Sequence, residues 1–198
     1  MYICVLDFEA TCWEDMKSLK HEIIEFPSVL IKYDDKSRLI TKVAEFQEFC
    51  LPKQNKQLSD FCKNLTGITQ EQVNGGSRFP EVLKRHYLWL EQSIPNFHNE
   101  NVHILTFGAW DLAVAFKLEL SNWGIKSVPA IYRQFINIKK EAHILYKIKH
   151  MGMASLLKYL KMTLIGRHHS GIDDCRNIVR ILEEMISVGY NNFTVTYV

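Results

Sequence analysis

In VLDFEATC, residues 5–12, two carboxylates interrupt an otherwise apolar run, six residues into the chain. Side chains two apart in a strand project from the same face. Asp7 and Glu9 therefore point together, toward the end of the strand where loops gather. Two anions held this close in a low-dielectric setting repel each other and lose hydration. Divalent cations relieve both penalties, and hard carboxylate oxygens suit Mg²⁺ or Mn²⁺. By itself the Asp-x-Glu pair also fits one acid in solvent and the other paired with a lysine.

Two further acids and a histidine sharpen the choice. HILTFGAWD puts Asp111 directly after a buried strand and at the start of a helix. An acid there caps a helix and interacts favourably with its dipole. It also stands at a strand end, where open α/β sheets place ligands. GRHHSGIDDCRNIVRIL offers His168 with Asp173, or His169 with Asp174, each pair five apart. Helical spacing puts Asp174 on the stripe of Ile178, Ile181 and Met185, which must pack inward. Asp173 shares its face with Asn177, Arg180 and Glu184, read as a solvated face, and helps cap the helix. His169 is then the imidazole able to swing over the buried acid, and His168 is a loop or substrate-contacting side chain. Divalent ions can stabilise both the attacking and the leaving oxygen of an in-line phosphoryl displacement. A histidine of ordinary pKa, about 6.5, can take the proton from the attacking water. The chemistry implied is phosphodiester hydrolysis.

The elements that must position these groups are legible. Residues 2–9 read as a buried strand, apolar on both faces. HEIIEFPSVLIKYD (21–34) and SRLITKVAEFQEFCLP (37–52) read as two more, joined by a short turn. Ser59 caps a short helix that ends at Gly67, and Thr69 caps TQEQVN. Pro80 starts the helix PEVLKRHYLWLEQSI. A second buried strand covers 102–109, a helix runs from about Asp111 to Asn122, and FINIK (135–139) is a further strand. GMASLLKYLKM and DDCRNIVRILEEMISVG are closing helices, the last stopped by Gly189. This order gives an α/β layer fold, a mixed sheet flanked by helices.

The chain of 198 residues is 47% hydrophobic with a net charge of +2, so nothing global announces a polyanion partner. KIKH (147–150) with Lys139, Lys140 and Arg167 is a local cationic cluster that could neutralise phosphates, or a solvated surface. Trp13 and Trp110 flank acidic motifs and could stack a base, whereas Phe8 faces the core by strand alternation. No apolar run reaches the roughly 18 residues of a membrane span, and no secretory leader is expected. Five scattered cysteines without a CxxC pair suit free thiols in a reducing compartment. The expected location is intracellular, cytoplasmic or nuclear. With no linker or repeat, residues 1–198 read as a single domain.

Asp7-x-Glu9, Asp111 and His169-x₄-Asp174 resemble the acidic motifs of the DEDDh 3′–5′ exonucleases. DFEATCW, HEIIEFPSVLI, QLSDFCKNLTGIT, FPEVL, FGAWD, FINIKK and HSGIDDCRNIVRIL narrow the resemblance to the Eri-type exoribonucleases, in the right order over nearly the whole chain. The resemblance implies an RNase H-like fold with a mixed five- or six-stranded sheet flanked by helices. It implies a single 3′–5′ exonuclease domain acting on RNA 3′ ends and releasing nucleoside 5′-monophosphates. The rival readings are the same catalyst acting on DNA or on both polymers, and a noncatalytic RNA-binding adaptor on this fold. Two Mg²⁺ or Mn²⁺ ions would be held by Asp7, Glu9, Asp111 and Asp174, with His169 as general base. Ala10, Thr11 and Leu65 would meet the terminal nucleotide, and Trp110 joins them as a stacking candidate. Where family members commonly carry PHCG around the histidine, His168 and Ser170 flank it here.

Overall fold

Alternation along the first strand fixes the architecture. In β1 (Tyr2–Leu6), Ile3 and Val5 enter one buried cluster while Tyr2, Cys4 and Leu6 enter another. The strand therefore lies between two apolar layers, as a central strand must. The computed structural model describes residues 1–15 and 20–198. β1 pairs antiparallel with β3 (Ile23–Asp34) on one side and parallel with β5 (Val102–Thr106) on the other. β3 also pairs antiparallel with β4 (Leu39–Phe49) and with the two-residue β2 (Glu9–Ala10). β5 continues parallel to β6 (Gln134–Asn137), which pairs antiparallel with β7 (Val195–Tyr197).

The sheet has seven strands, not five or six. The two additions are β2 and β7, two and three residues long, too short to carry a period-2 signal. The expected strand 2–9 is broken at Asp7 and Phe8, and the chain re-pairs with β3 only at Glu9.

Helices cover both faces. α1 (Asp60–Thr66) begins at Ser59, whose hydroxyl accepts from Cys62 N, and ends at Gly67 in the left-handed region. α2 (Gln70–Asn74) has a full capping box from Thr69 and Gln72. α3 (Phe79–Ser93) carries Pro80 in its first turn. A π-helical segment, Asp111–Phe116, continues into α4 (Lys117–Trp123), which Gly124 stops. α3 and this helical run pack on the cluster containing Cys4, Leu6 and Phe8. α5 (Ile138–Tyr146), α6 (Met153–Tyr159) and α7 (Gly171–Ser187) close over the other face, with Ile3 and Val5. α5 begins where FINIK was read as strand: Ile138 already lies in the helix, capped by the Asn137 side chain.

α7 must come close to the end of β1 to bring its acids to Asp7, and Gly171 permits this. A Cβ there would lie 2.7 Å from the Asp7 carbonyl oxygen and 3.1 Å from Glu25 Oε2. Any side chain at 171 pushes the helix start, and Asp174 with it, away from the strand.

Candidate active site

Asp7, Glu9 and Asp174 offer carboxylate oxygens that all lie within 4.8 Å of one another. β1 and its continuation supply the first two, and the first turn of α7 supplies the third. Glu9 and Asp174 are 8% and 2% exposed, while Asp7 is half-buried. Among the described residues neither Asp7 nor Glu9 is paired with a lysine or arginine. The bland alternative of a lysine-paired acid is therefore not what the fold builds.

Asp111 stands one step back. Its Oδ1 accepts the Phe8 N–H at 2.8 Å, which ties the helix start to the break in the first strand. Burial raises the Asp7 carboxyl well above the usual carboxylate range, and the charges of Asp111, Asp174, Glu9 and Glu25 add to it. Burial, then Glu25 and Asp174, pushes Glu9 up to about 9. Burial likewise raises Asp111 to about 7, and raises Asp174 in part against the hydrogen bond from His169 N–H. Removing cations from such a cluster forces it to take up protons instead.

This chemistry of the donor set fits a divalent metal ion. The ligands are hard oxygens, clustered, largely buried and, among the described residues, without a lysine or arginine partner. Asp7, Glu9 and Asp174 are the residues placed to hold it, with Asp111 behind them.

The histidines are arranged differently from the expectation. The His168 ring, through Nδ1, lies 3.2 Å from Asp174 Oδ2. His169 reaches the same oxygen through its backbone N–H at 2.9 Å. His169 has φ of 65°, a left-handed conformation costing a non-glycine residue about 1–3 kcal/mol. The two rings stack with centroids 4.0 Å apart, and both line the cleft. Burial, then the neighbouring His168, lowers the His169 pKa below its ordinary value.

The cleft around the acids has a volume of ≈460 Å³. Ala10, Leu65 and Trp110 line it. Thr11 does not: it is 1% exposed and its hydroxyl accepts the Glu22 N–H at 2.9 Å. Phe8 is core, edge-on to Phe26 at 4.7 Å. Arg167 is oriented by its guanidinium donating to the Asn64 and Leu65 carbonyls at the end of α1. Asp173 does not cap α7 but accepts the Arg167 N–H at 3.0 Å and pairs with Arg176. Asn177, read as solvated, is fully buried and bridges Ile165 and Asp173.

Two site residues escaped the sequence reading. Glu25 is 1% exposed, opposite Glu9 in the β2–β3 ladder, and accepts from Gln47 Nε2 and Gly171 N. The one available signal was an acid inside the run IIEFPSVLI. His21 lines the cleft, with its Nδ1 2.6 Å from the Thr11 carbonyl and its ring between Trp13 and Trp110 at 6.2 and 6.0 Å. No periodicity marks it.

A buried acid cluster at the strand ends of a mixed sheet defines a class, and comparison with known proteins agrees. The exonuclease family matches residues 4–182, and the chain belongs to that family. It is 38% identical over 191 residues to the 3′–5′ exoribonuclease 1 of Mus musculus, covering 95% of this chain and 54% of that protein. The nuclease domain of 3′hExo, a DEDDh family member solved bound to rAMP, is 36% identical with a TM-score of 0.86. That alignment covers 98% of this chain and 97% of the solved one. A 3′-exonuclease solved in 3′-end specific recognition of a histone mRNA stem-loop is 34% identical, TM-score 0.86, covering 100% and 90%. The chain spans about half the length of the mammalian relatives it matches. Nucleases of this DEDDh class generally use divalent metal ions.

Proposed function

We propose that the chain is a single-domain, metal-dependent 3′–5′ exoribonuclease that removes nucleotides from RNA 3′ ends as nucleoside 5′-monophosphates. The observation carrying this reading is the convergence of Asp7, Glu9 and Asp174 within 4.8 Å, Glu9 and Asp174 buried and Asp7 half-buried, with no lysine or arginine partner among the described residues. Two Mg²⁺ or Mn²⁺ ions on Asp7, Glu9, Asp111 and Asp174 would supply charge stabilisation for the displacement. Leu65, Ala10 and Trp110 hold the terminal nucleotide against the acids, and His21 braces Trp110 from the side. His169 takes the proton from the attacking water, its ring kept against His168 by the stack. The RNA assignment is supported by relatives named as exoribonucleases and by solved neighbours holding a histone mRNA stem-loop or rAMP. Five free thiols support an intracellular location, cytoplasmic or nuclear. Among the described residues no helix is long and apolar enough to cross a membrane.

Matched RNA and DNA oligonucleotides, labelled at the 5′ end and presented as single strands, hairpins and duplexes, test the assignment with and without Mn²⁺. The reading expects RNA to shorten stepwise from the 3′ end, only with metal. Faster degradation of DNA reassigns the substrate. No nucleotide release, together with no heat on Mn²⁺ titration, overturns the activity.

A further inference from the structure

A second cavity, of ≈290 Å³, lies away from the cleft, with Lys53, Lys56, Arg78 and Trp123 in its wall. It is enclosed by the β4–α1 loop, the start of α3 and the end of α4. All three cations are exposed, and none enters an ion pair among the described residues. Lys53 Nζ donates to the Asn122 carbonyl at 2.6 Å and sits 5.1 Å from the Trp123 ring centroid. Both partners orient the ammonium without forming an ion pair with it; the buried Glu119 carboxylate behind the indole attracts it from the inner side. The indole is itself fixed, donating to Glu119 Oε2 at 2.8 Å.

The loop beneath is rigidly held. The Glu22 carboxylate accepts N–H groups from Lys53, Gln54 and Asn55 at 2.7, 3.0 and 2.7 Å. Glu22 and Glu119 are the acids behind this wall, and both are buried and hydrogen-bonded inward. Three cations thus face solvent from a preformed concavity, which is the footprint of a phosphate site.

The geometry also sets the distance to the cleft. Asp111 opens and Trp123 closes one continuous helical run. They lie at most about 18 Å apart, the α-helical rise of about 1.5 Å per residue being an upper bound for the π-helical first half. At 3.4 Å per nucleotide along a stacked strand, that is about five nucleotides. We propose that this cavity is a remote subsite for backbone phosphates of the RNA whose 3′ end occupies the cleft, an inference that rests on the exoribonuclease reading above.

The test is RNA binding in EDTA, followed by fluorescence anisotropy across a salt series, which reads contact with the strand independently of hydrolysis. Each lost phosphate contact on a single strand flattens the slope of log K against log salt by about 0.7. The triple variant K53Q/K56Q/R78Q is expected to bind a strand of about twelve nucleotides at least tenfold more weakly, with the slope shallower by about 2. The loss on a dinucleotide, which reaches only the cleft, is expected to stay below about twofold. Should the triple variant melt early, Lys56→Gln carries the test, since that ammonium makes no hydrogen bond among the described residues; its slope should fall by about 0.7. Unchanged affinity and slope in a variant that melts with the wild type overturn the subsite. One-to-one binding of inorganic tripolyphosphate, tighter than RNA and lost in the variant, assigns the cavity to small polyphosphates and also overturns it. Failure of the exoribonuclease reading shows separately, as wild-type protein that releases no nucleotide with Mn²⁺.

Discussion

The fold treats two groups of acids in opposite ways, Glu22 with Glu119 on the one hand and Asp7 with Glu9 on the other. Glu22 is 1% exposed and its carboxylate takes three backbone N–H groups of the β4–α1 loop, plus the Asn55 side-chain amide at 3.0 Å. Glu119 is 2% exposed and accepts from Ile23 N and Trp123 Nε1, each at 2.8 Å. Asp7 and Glu9 have no donor at all among the described residues, and their neighbours are other acids. A buried acid that holds the fold together is surrounded by donors. One that awaits a cation is left without them, and the fold bears the cost. Burial alone does not separate structure from function; for Asp7 and Glu9 the missing donors do, whereas Asp111 and Asp174 keep one side on the Phe8 and His169 N–H groups.

The comparison breaks most visibly on the functional side. His169→Ala should lower kcat by about 10²–10⁴, the usual share of a general base, while leaving metal binding intact. His168→Ala is the paired control, because His168 is the ring in contact with Asp174. If His168→Ala abolishes turnover and His169→Ala does not, the roles of the two are exchanged.

On the structural side, Glu22→Ala orphans several loop N–H groups, each worth about 1–3 kcal/mol. The low end applies, about 3 kcal/mol in all, because these loop groups can be reached by water. Thermal melting should then fall by roughly 6–12 °C, at the scaling of about 2–4 °C per kcal/mol for a chain of this size. A melt unchanged from wild type would mean that the loop holds without its anchor.

A smaller effect is the pH dependence of stability in EDTA. Glu9 titrates near 9 in the fold, against 4.5 for the free side chain. A folded pKa above the unfolded one means the native state binds more protons between those values. That contribution is complete below about 4.5 and is lost as pH rises toward 9, so metal-free protein should be more stable at pH 5 than at pH 8. Glu119 acts in the same direction over a narrower window, from 4.5 to about 7. Glu9→Gln should therefore flatten the profile more than Glu119→Gln; denaturant melts across pH check the order.

Most of the frame was legible because it is local. Ser59 and Thr69 as caps, Gly67 as a left-handed stop and the long β3 and β4 runs are signals carried by a few adjacent residues. The Asp174 register followed from the same kind of reasoning, since its stripe packs inward as the 3.6 period requires. What stayed hidden depends on contacts across the chain. The role of Gly171 appears only when α7 meets Asp7 and Glu25. Thr11 looked available for substrate until the Glu22 N–H, just before β3, took its hydroxyl. Asn177 shared a polar stripe with Arg180, and only the Ile165 segment lying over it makes that stripe buried. Glu22 and Glu25 are three apart in one apolar run, yet one anchors a loop and the other faces the acid cluster.

Melting Asp7→Asn beside wild type, first in EDTA and then with Mn²⁺, goes straight to the claim that these acids are assembled for a cation. With metal removed, near pH 7, the variant should melt a few degrees above wild type, because its neutral amide spares the proton that the buried Asp7 carboxyl must take up to fold. With Mn²⁺ the wild type should rise past it, by the ion's binding free energy, and the variant should barely respond. A variant that melts lower than wild type in EDTA, or two proteins that respond equally to Mn²⁺, would contradict the account.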